Sequence, residues 1–565
     1  MDYDILLMNI ARDMSGYSSC FYDSIGQYLI ASYLRERDFT AQVYAGCVAD
    51  CKEIIEKEIG GKKTRILGFY AAADNVRIVS HVIKWVKARF SVITVVGGPQ
   101  AIALGAEFFQ ETSNDFTIVG EGEIPMFHLL SYLIDGSGTI EDVPSVKYWD
   151  RNKGCVVWNQ CDDAIVTDLD TIPFPHQEDS LTGRLRQGKM VGIITGRGCP
   201  NHCAFCYEGA NAKHVRFRSI ANVMEEVDYI VQQNPTMEYI NIYDDTFTLK
   251  PERVLAFCRE MKARKLKWFC EGHVSFVLQY PEILKEMVDS GLTCIQFGIE
   301  SGADRVLEAY GKRISRGMIE ECIQICKDSG IHGITGNFII GGAGEDGESL
   351  AESRELAAKL LEKAKGILEL YTVYFAPYPN TKMTANPQDY GIRIQEELLQ
   401  YNLNTMRSPV VETKALSVQQ IYREKQEFDH YLAECYRKAA LASTKSDLVQ
   451  GLFQDGKRVY LNPTWEKAYA SFNHIEVFLQ HLTIEEQSFA PDAYPIRTVE
   501  DFFLEGECMV TEIGTFSGME KELLLNASGV YTAGELADQL GLTTEQMKAL
   551  FQRLNERCLV YMSLW

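Results

Sequence analysis

The sequence predicts an α/β protein built on two parallel sheets, and three observations predict it. Short apolar, β-branched runs alternate with helix-period segments through residues 4–119 and again through 188–385, the pattern of parallel strands joined by helical crossovers. Strand after strand runs into a glycine- or acid-rich turn, as at Gly97-Gly98-Pro99, Gly120-Glu121-Gly122-Glu123 and Gly341-Gly342. Ligands gather outside the carboxyl ends of parallel strands, where backbone must come close to them. At the first strand end of the second region stand three cysteines, Cys199, Cys203 and Cys206, spaced C-x3-C-x2-C.

Taken in order, Asp4–Ala11 is an apolar run, Ser24–Arg37 has helical period and Ala41–Tyr44 is β-like. Arg65–Tyr70, Val92–Val96 and Phe116–Val119 are further strands, with a helix over Val76–Phe90. These make residues 1–150 a Rossmann-like, doubly wound domain, followed by a linker over 151–187. In the second region Val191–Thr195, Tyr239–Tyr243, Trp268–Glu271, Cys294–Ile299, Gly333–Ile340 and Leu368–Phe375 alternate with helices. Six such units predict a partial (β/α)6 barrel over 188–385, with its site at the strand carboxyl ends. Ile394–Met406 and Ser417–Ala442 read as helices, so 386–520 is expected to be mostly helical. In 521–565, helices over Thr532–Leu540 and Glu545–Glu556 and a strand over Cys558–Ser563 suggest a winged-helix-like module.

The net charge of −22 over 565 residues argues against a nucleic-acid partner and against an anionic membrane surface. No run approaches 18 apolar residues, and the acidic opening Met1-Asp2-Tyr3-Asp4 is no signal peptide. The 16 cysteines are therefore expected to be reduced and the protein cytoplasmic. The pairs Cys47/Cys51 and Cys322/Cys326 are read as small buried residues on helices.

Three thiolates with no nearby fourth suit a four-iron cluster that keeps one iron open. Zinc competes, but a second paired hook is missing. With Phe205 just before the last cysteine, the stretch Thr195–Tyr207 resembles the radical SAM superfamily signature. The resemblance implies a 4Fe-4S cluster that binds S-adenosylmethionine (SAM) at its open iron and yields a 5′-deoxyadenosyl radical. It also implies roles for named residues. Asp244 and Asp245 match the strand end near the SAM amine, Glu300 and Ser301 the ribose strand end, Lys312 the partner of the SAM carboxylate, and Gly341 the turn against adenine. Ala343 stands where the family often has proline. Glu271 and His273 match no SAM motif and are candidates to touch substrate.

The turns at Gly97-Gly98-Pro99 and Gly120-Glu121-Gly122, with the later Leu169-Asp170-Thr171-Ile172-Pro173-Phe174-Pro175, resemble the cobalamin-binding domain fused to many radical SAM enzymes. Many such domains carry D-x-H-x-x-G after the first strand, whereas the loop from Asn9 to Asp23 has no histidine. The resemblance therefore implies cobalamin held without a protein imidazole on cobalt, with Tyr70–Asn75 beneath the ring. Over about two-thirds of its length the chain resembles class B radical SAM methyltransferases. The implied activity is methylation of an unactivated carbon of a small molecule or peptide, through a 5′-deoxyadenosyl radical and methylcobalamin, with a flavodoxin or ferredoxin as reductant. Cyclisation, ring contraction or another rearrangement on the same cofactors, or an empty N-terminal domain, are the alternatives.

Overall fold

The computed structural model describes residues 3–11, 25–60, 64–73, 75–175, 188–211, 214–399, 408–454, 456–459, 461–482, 489–499, 501–511 and 513–563. Most of the Asn9–Asp23 loop lies outside them.

The first sheet comprises β1 (Ile5–Ala11), β2 (Ala41–Cys47), β3 (Ile66–Tyr70), β4 (Ile93–Gly97), β5 (Phe116–Ile118), β6 (Val146–Asp150) and β7 (Cys155–Trp158). Their order is β2-β1-β3-β4-β5-β6-β7. The first five run parallel and the last two antiparallel. Ile66, Leu67 and Phe69 of β3 are buried, as a strand covered on both faces requires. One face packs with Tyr28, Ala31 and Leu34 of α1 (Ile25–Arg35), the other with Val79, Val82 and Ile83 of the helix Val76–Lys87. The order reverses at β1/β3, and such switch points open a crevice at the carboxyl ends. Two expectations need correction. The sheet does not end at 150, because β7, placed in the linker, pairs with β6. Cys47 is the last residue of β2 rather than part of a helix.

The second sheet is entirely parallel and stands in chain order: β8 (Met190–Ile193), β11 (Tyr239–Ile242), β12 (Lys267–Gly272), β13 (Leu292–Glu300), β14 (Gly333–Ile340) and β15 (Leu368–Tyr374). A short ribbon, β9 (Gly196–Arg197) and β10 (Arg216–Phe217), brackets the cysteine loop. Ser219, Ser315 and Asp346 start the helices of this region by accepting backbone N–H groups from within the first turn.

The long helix Val418–Leu441 shares the core of this second sheet. Phe428 meets Phe338 of β14 at 5.2 Å, and the Tyr436 hydroxyl accepts from Leu370 N at 2.6 Å. Of the helix read over Ile394–Met406, Ile394 instead ends a strand, Ile392–Ile394, on Val411–Thr413, Glu396–Leu399 is one helical turn, and 400–406 lie outside the described residues. Short strands stand beside the helices of 386–520. Tyr494–Arg497 pairs with Val560–Ser563, and Phe502–Glu505, Cys508–Thr511 and Gly514–Phe516 form a three-stranded sheet. One small core joins Ala493, Met509, Phe516, Leu536, Phe551 and Met562, so these strands pack with the last helices. Among the described residues no helix is long and apolar enough to cross a membrane.

Candidate functional site

The cysteine loop is braced from the end of β11. The Asp244 carboxylate accepts from Thr195 N and Oγ1, both at 2.6 Å, and from Gly196 N at 2.9 Å. Asp245 accepts from Gly198 N at 2.7 Å. Asp244 is thus fully buried and committed to the loop, while Asp245 reaches the adjoining cavity. Burial pushes the Asp244 carboxyl up, opposed by those Thr195 hydrogen bonds. Behind it Arg253, which sequence reasoning missed, donates to Thr195 O and Oγ1 at 2.8 and 2.9 Å.

The loop is also gripped from within the second sheet's own turns. Ala204 N donates to Tyr310 O at 2.8 Å, and Phe205 stands edge-on to the Tyr310 ring at 5.0 Å. Cys199 Sγ lies 3.4 Å from Thr246 Oγ1. Cys203 and Cys206 are near enough to influence each other, as are Cys199 and Cys203. Burial pushes the Cys206 thiol up to about 11, so a thiolate there would need a cation beside it, which an iron of a cluster would supply. Among the described residues no three His, Cys, Asp or Glu side chains could converge on a single ion. Thiolates on three separate irons of a cluster need no such convergence, so this donor set fits a cluster better than zinc.

On the cysteine side of the strand ends lies a buried polar group. Lys312 Nζ donates to Glu300 Oε1 at 2.7 Å, and Asn337 Nδ2 donates to Glu300 Oε2 at 2.8 Å. Glu300 holds φ of +62°, a conformation costly for glutamate and typical of functional strand ends. Burial works against the Lys312 ammonium, but the Glu300 carboxylate outweighs it and holds the value above the usual lysine range. Burial, with Asp245 nearby, pushes Glu271 up to about 7. His273 caps the helix Val274–Gln279, its Nδ1 accepting from Ser275 N at 3.2 Å. Its Nε2 is buried without a hydrogen-bond partner, and burial drives the ring down to about 4. Asn337 was missed, although an amide amid the apolar run of β14 was a visible signal.

Two further expected residues have partners of their own. Ser301 is fully buried, 3.3 Å from Ser353 Oγ, and ties β13 to the helix Gly347–Lys363 rather than to the acid group. Gly341, at φ +89°, donates its N–H to Glu345, and a side chain there would meet Ile421 at 2.9 Å.

A cavity of about 1100 Å³ separates the two sheets. Tyr70, Gly97, Gly98, Pro99, Gly120, Glu121 and Gly122 line it from the first sheet, and Gly196, Gly198, Tyr207 and Asp245 from the second. At Gly120, φ +89°, a Cβ would meet nothing within 4 Å, so the turn leaves open space beside the cavity. At Gly98, φ +101°, a Cβ would strike Ala71 O at 2.7 Å and the Tyr70 ring at 2.9 Å. The volume and the open glycine turns fit a large flat ring. The two glutamates of the Gly-Glu-Gly-Glu segment instead bond Arg197 and Arg216 beside the cysteine loop.

Residues 193–357 match the Radical SAM superfamily. An uncharacterized methyltransferase of Pyrococcus horikoshii is 26% identical over 413 residues, covering 70% of this chain and 84% of that protein. The methyltransferase TsrM of Kitasatospora setae, solved with cobalamin and a [4Fe-4S] cluster bound, superposes with a TM-score of 0.57 at 16% identity, over 70% of this chain and 77% of that one. The cobalamin-dependent radical enzyme OxsB, solved with aqua-cobalamin and SAM, gives 0.59 at 14% identity, over 85% and 71%. These two likenesses are of fold. The cysteine triplet lies inside the matched segment, so residues 193–357 carry a radical SAM domain.

Proposed function

We propose that this chain is a cobalamin-dependent radical SAM methyltransferase acting on an unactivated carbon of a small molecule or peptide. The observation that carries the reading is one cavity lined both by the glycine turns of the first sheet and by Gly196, Gly198 and Tyr207, which flank the cysteines of the second. When bound, the cluster with SAM supplies a 5′-deoxyadenosyl radical, and cobalamin supplies a methyl carrier. Cys199, Cys203 and Cys206 would hold the cluster, and Asp244 keeps their loop in place through Thr195. Glu300 and Lys312 would hold SAM by the ribose and carboxylate. Gly97, Gly120 and Tyr70 would admit the corrin ring, and Glu271 would meet substrate. A cysteine loop that borders the cavity of the glycine turns would give the two cofactors the proximity that transfer between them needs.

Anaerobic reconstitution tests the reading. The chain should retain about four irons and one cobalamin, and Cys203→Ala should lose the iron while keeping the cobalamin. A chain that takes up iron but never cobalamin would leave a radical SAM enzyme with an empty N-terminal domain.

A further inference from the structure

The ribbon ahead of the cysteines has a built-in conflict. Arg197 of β9 stands in register with Arg216 of β10, and like charges facing across a strand pair are destabilising. Carboxylates from the other sheet resolve it. Arg197 donates to Glu121 Oε2 at 2.8 Å and to Glu123 Oε1 at 2.6 Å. Arg216 donates to both oxygens of Glu121, to Oε2 at 3.1 Å. The Arg197, Arg216 and Glu123 side chains are only 15, 11 and 3% exposed, so salt screens these pairs weakly. Burial pushes the Glu123 carboxyl up, but the Arg197 guanidinium outweighs it and keeps the group ionised.

Glu121 and Glu123 alternate with Gly120 and Gly122, which line the cavity, while Arg197 lies two residues before Cys199. Glu121 and Glu123 line the cavity as well, and through their arginine partners they also meet the ribbon that enters the cysteine loop. Both oxygens of Glu121 are already taken by arginine, leaving it poorly placed to act as a cofactor ligand. On the radical SAM reading above, we propose that Glu121 and Glu123 are positioning residues for radical generation. They hold Arg197, and through it the backbone entering Cys199, at a setting the ribbon alone cannot keep. The N-terminal sheet is then part of the machinery that cleaves SAM, beyond any role in holding a second cofactor.

The test uses the full-length chain with its cluster reconstituted, no cobalamin added, and SAM with dithionite. The readouts are iron content and the rate of 5′-deoxyadenosine formation. Glu123→Gln and Arg197→Gln should keep their iron yet lower that rate on the order of ten- to a hundredfold, the effect of a small misplacement at a reacting centre. The double variant should be no slower than the slower single one, because both remove the same link. Arg197→Lys should recover part of the rate. Glu121→Gln, at a more exposed position, serves the same purpose if Glu123→Gln is unstable. Unchanged rates in the single variants, or fully additive losses in the double variant, would overturn the proposal alone. A wild-type chain that makes no 5′-deoxyadenosine would overturn the radical SAM reading and the proposal with it.

Discussion

The Lys312 ammonium donates to Glu300 Oε1 at 2.7 Å, and Gly298, on the same strand as Glu300, leaves the space that this pair fills. A Cβ at Gly298 would stand against both groups but against no backbone at short range. Gly298→Ala should therefore displace the pair and spare the fold. Iron content should stay at the wild-type level, while SAM binding weakens by about tenfold or more, as one charge-assisted hydrogen bond of ~1.5–3 kcal/mol is lost. Equilibrium binding of labelled SAM measures this, and an unchanged dissociation constant would remove the pair from the SAM site.

Removing the carboxylate itself acts on the empty protein as well. Glu300→Gln leaves the Lys312 charge buried without its counter-ion, a loss of about 3–5 kcal/mol for a broken buried pair. Denaturant unfolding should show it, and saturating SAM should restore part of the difference if its carboxylate meets Lys312. A variant as stable as wild type would show that the pair is not electrostatically coupled.

How far the sequence revealed this arrangement depends on which physical signal each part carries. The parallel strands were readable because strands buried on both faces are runs of apolar residues bounded by turns, as in Ile66–Tyr70 and Gly333–Ile340. The strand over Tyr494–Arg497 was not, because its partner, Val560–Ser563, lies far along the chain and its own pattern is mixed. Ile392–Ile394 became a strand through the same kind of distant pairing. In the site, residue types with a spacing could be found: the cysteines and the acids at strand ends. Arg253 and the Arg197–Glu121 contact could not, since each acts through a partner at least 58 residues away, and the amide of Asn337 stood out in its apolar run without showing that its partner is Glu300. Ser301 had the right neighbours in sequence but turns its hydroxyl toward a helix.

The glycines of the first sheet separate two effects that sequence reasoning merged. Gly97 has no neighbour closer than 4.0 Å to an added Cβ, whereas Gly98 would strike Ala71 O and sits at φ +101°. Gly97→Leu should fold normally and lose hydroxocobalamin binding, because its side chain has only the cavity to enter. Gly98→Val should lower the melting temperature before any ligand is added. Spectrophotometric titration with hydroxocobalamin and thermal unfolding together check this; full binding by Gly97→Leu would place the ring elsewhere.

Glu271 makes a pH prediction. Its folded value of about 7 lies above the ordinary 4.5, so the folded state holds more protons between those values. Its contribution to stability falls as pH rises through that window. Glu271→Gln should match wild type near pH 4 and exceed it above pH 7, by up to ~3 kcal/mol at ~1.4 kcal/mol per pKa unit. His273, lowered to about 4, titrates in the opposite sense between about 4 and 6.5, but it does so in both proteins and cancels from the difference. A constant offset between the two proteins at all pH values would show that Glu271 is not held protonated.

The most direct test needs no knowledge of the substrate. The reconstituted chain, given reduced hydroxocobalamin and SAM labelled in its methyl group, should move the label onto cobalamin with one S-adenosylhomocysteine formed per methyl transferred. Dithionite should add 5′-deoxyadenosine from further SAM, and Gly97→Leu should lose the first reaction while keeping the second. Formation of 5′-deoxyadenosine alone, with no label on cobalamin at any ratio of cofactor to protein, would contradict a methyl-transferring chain.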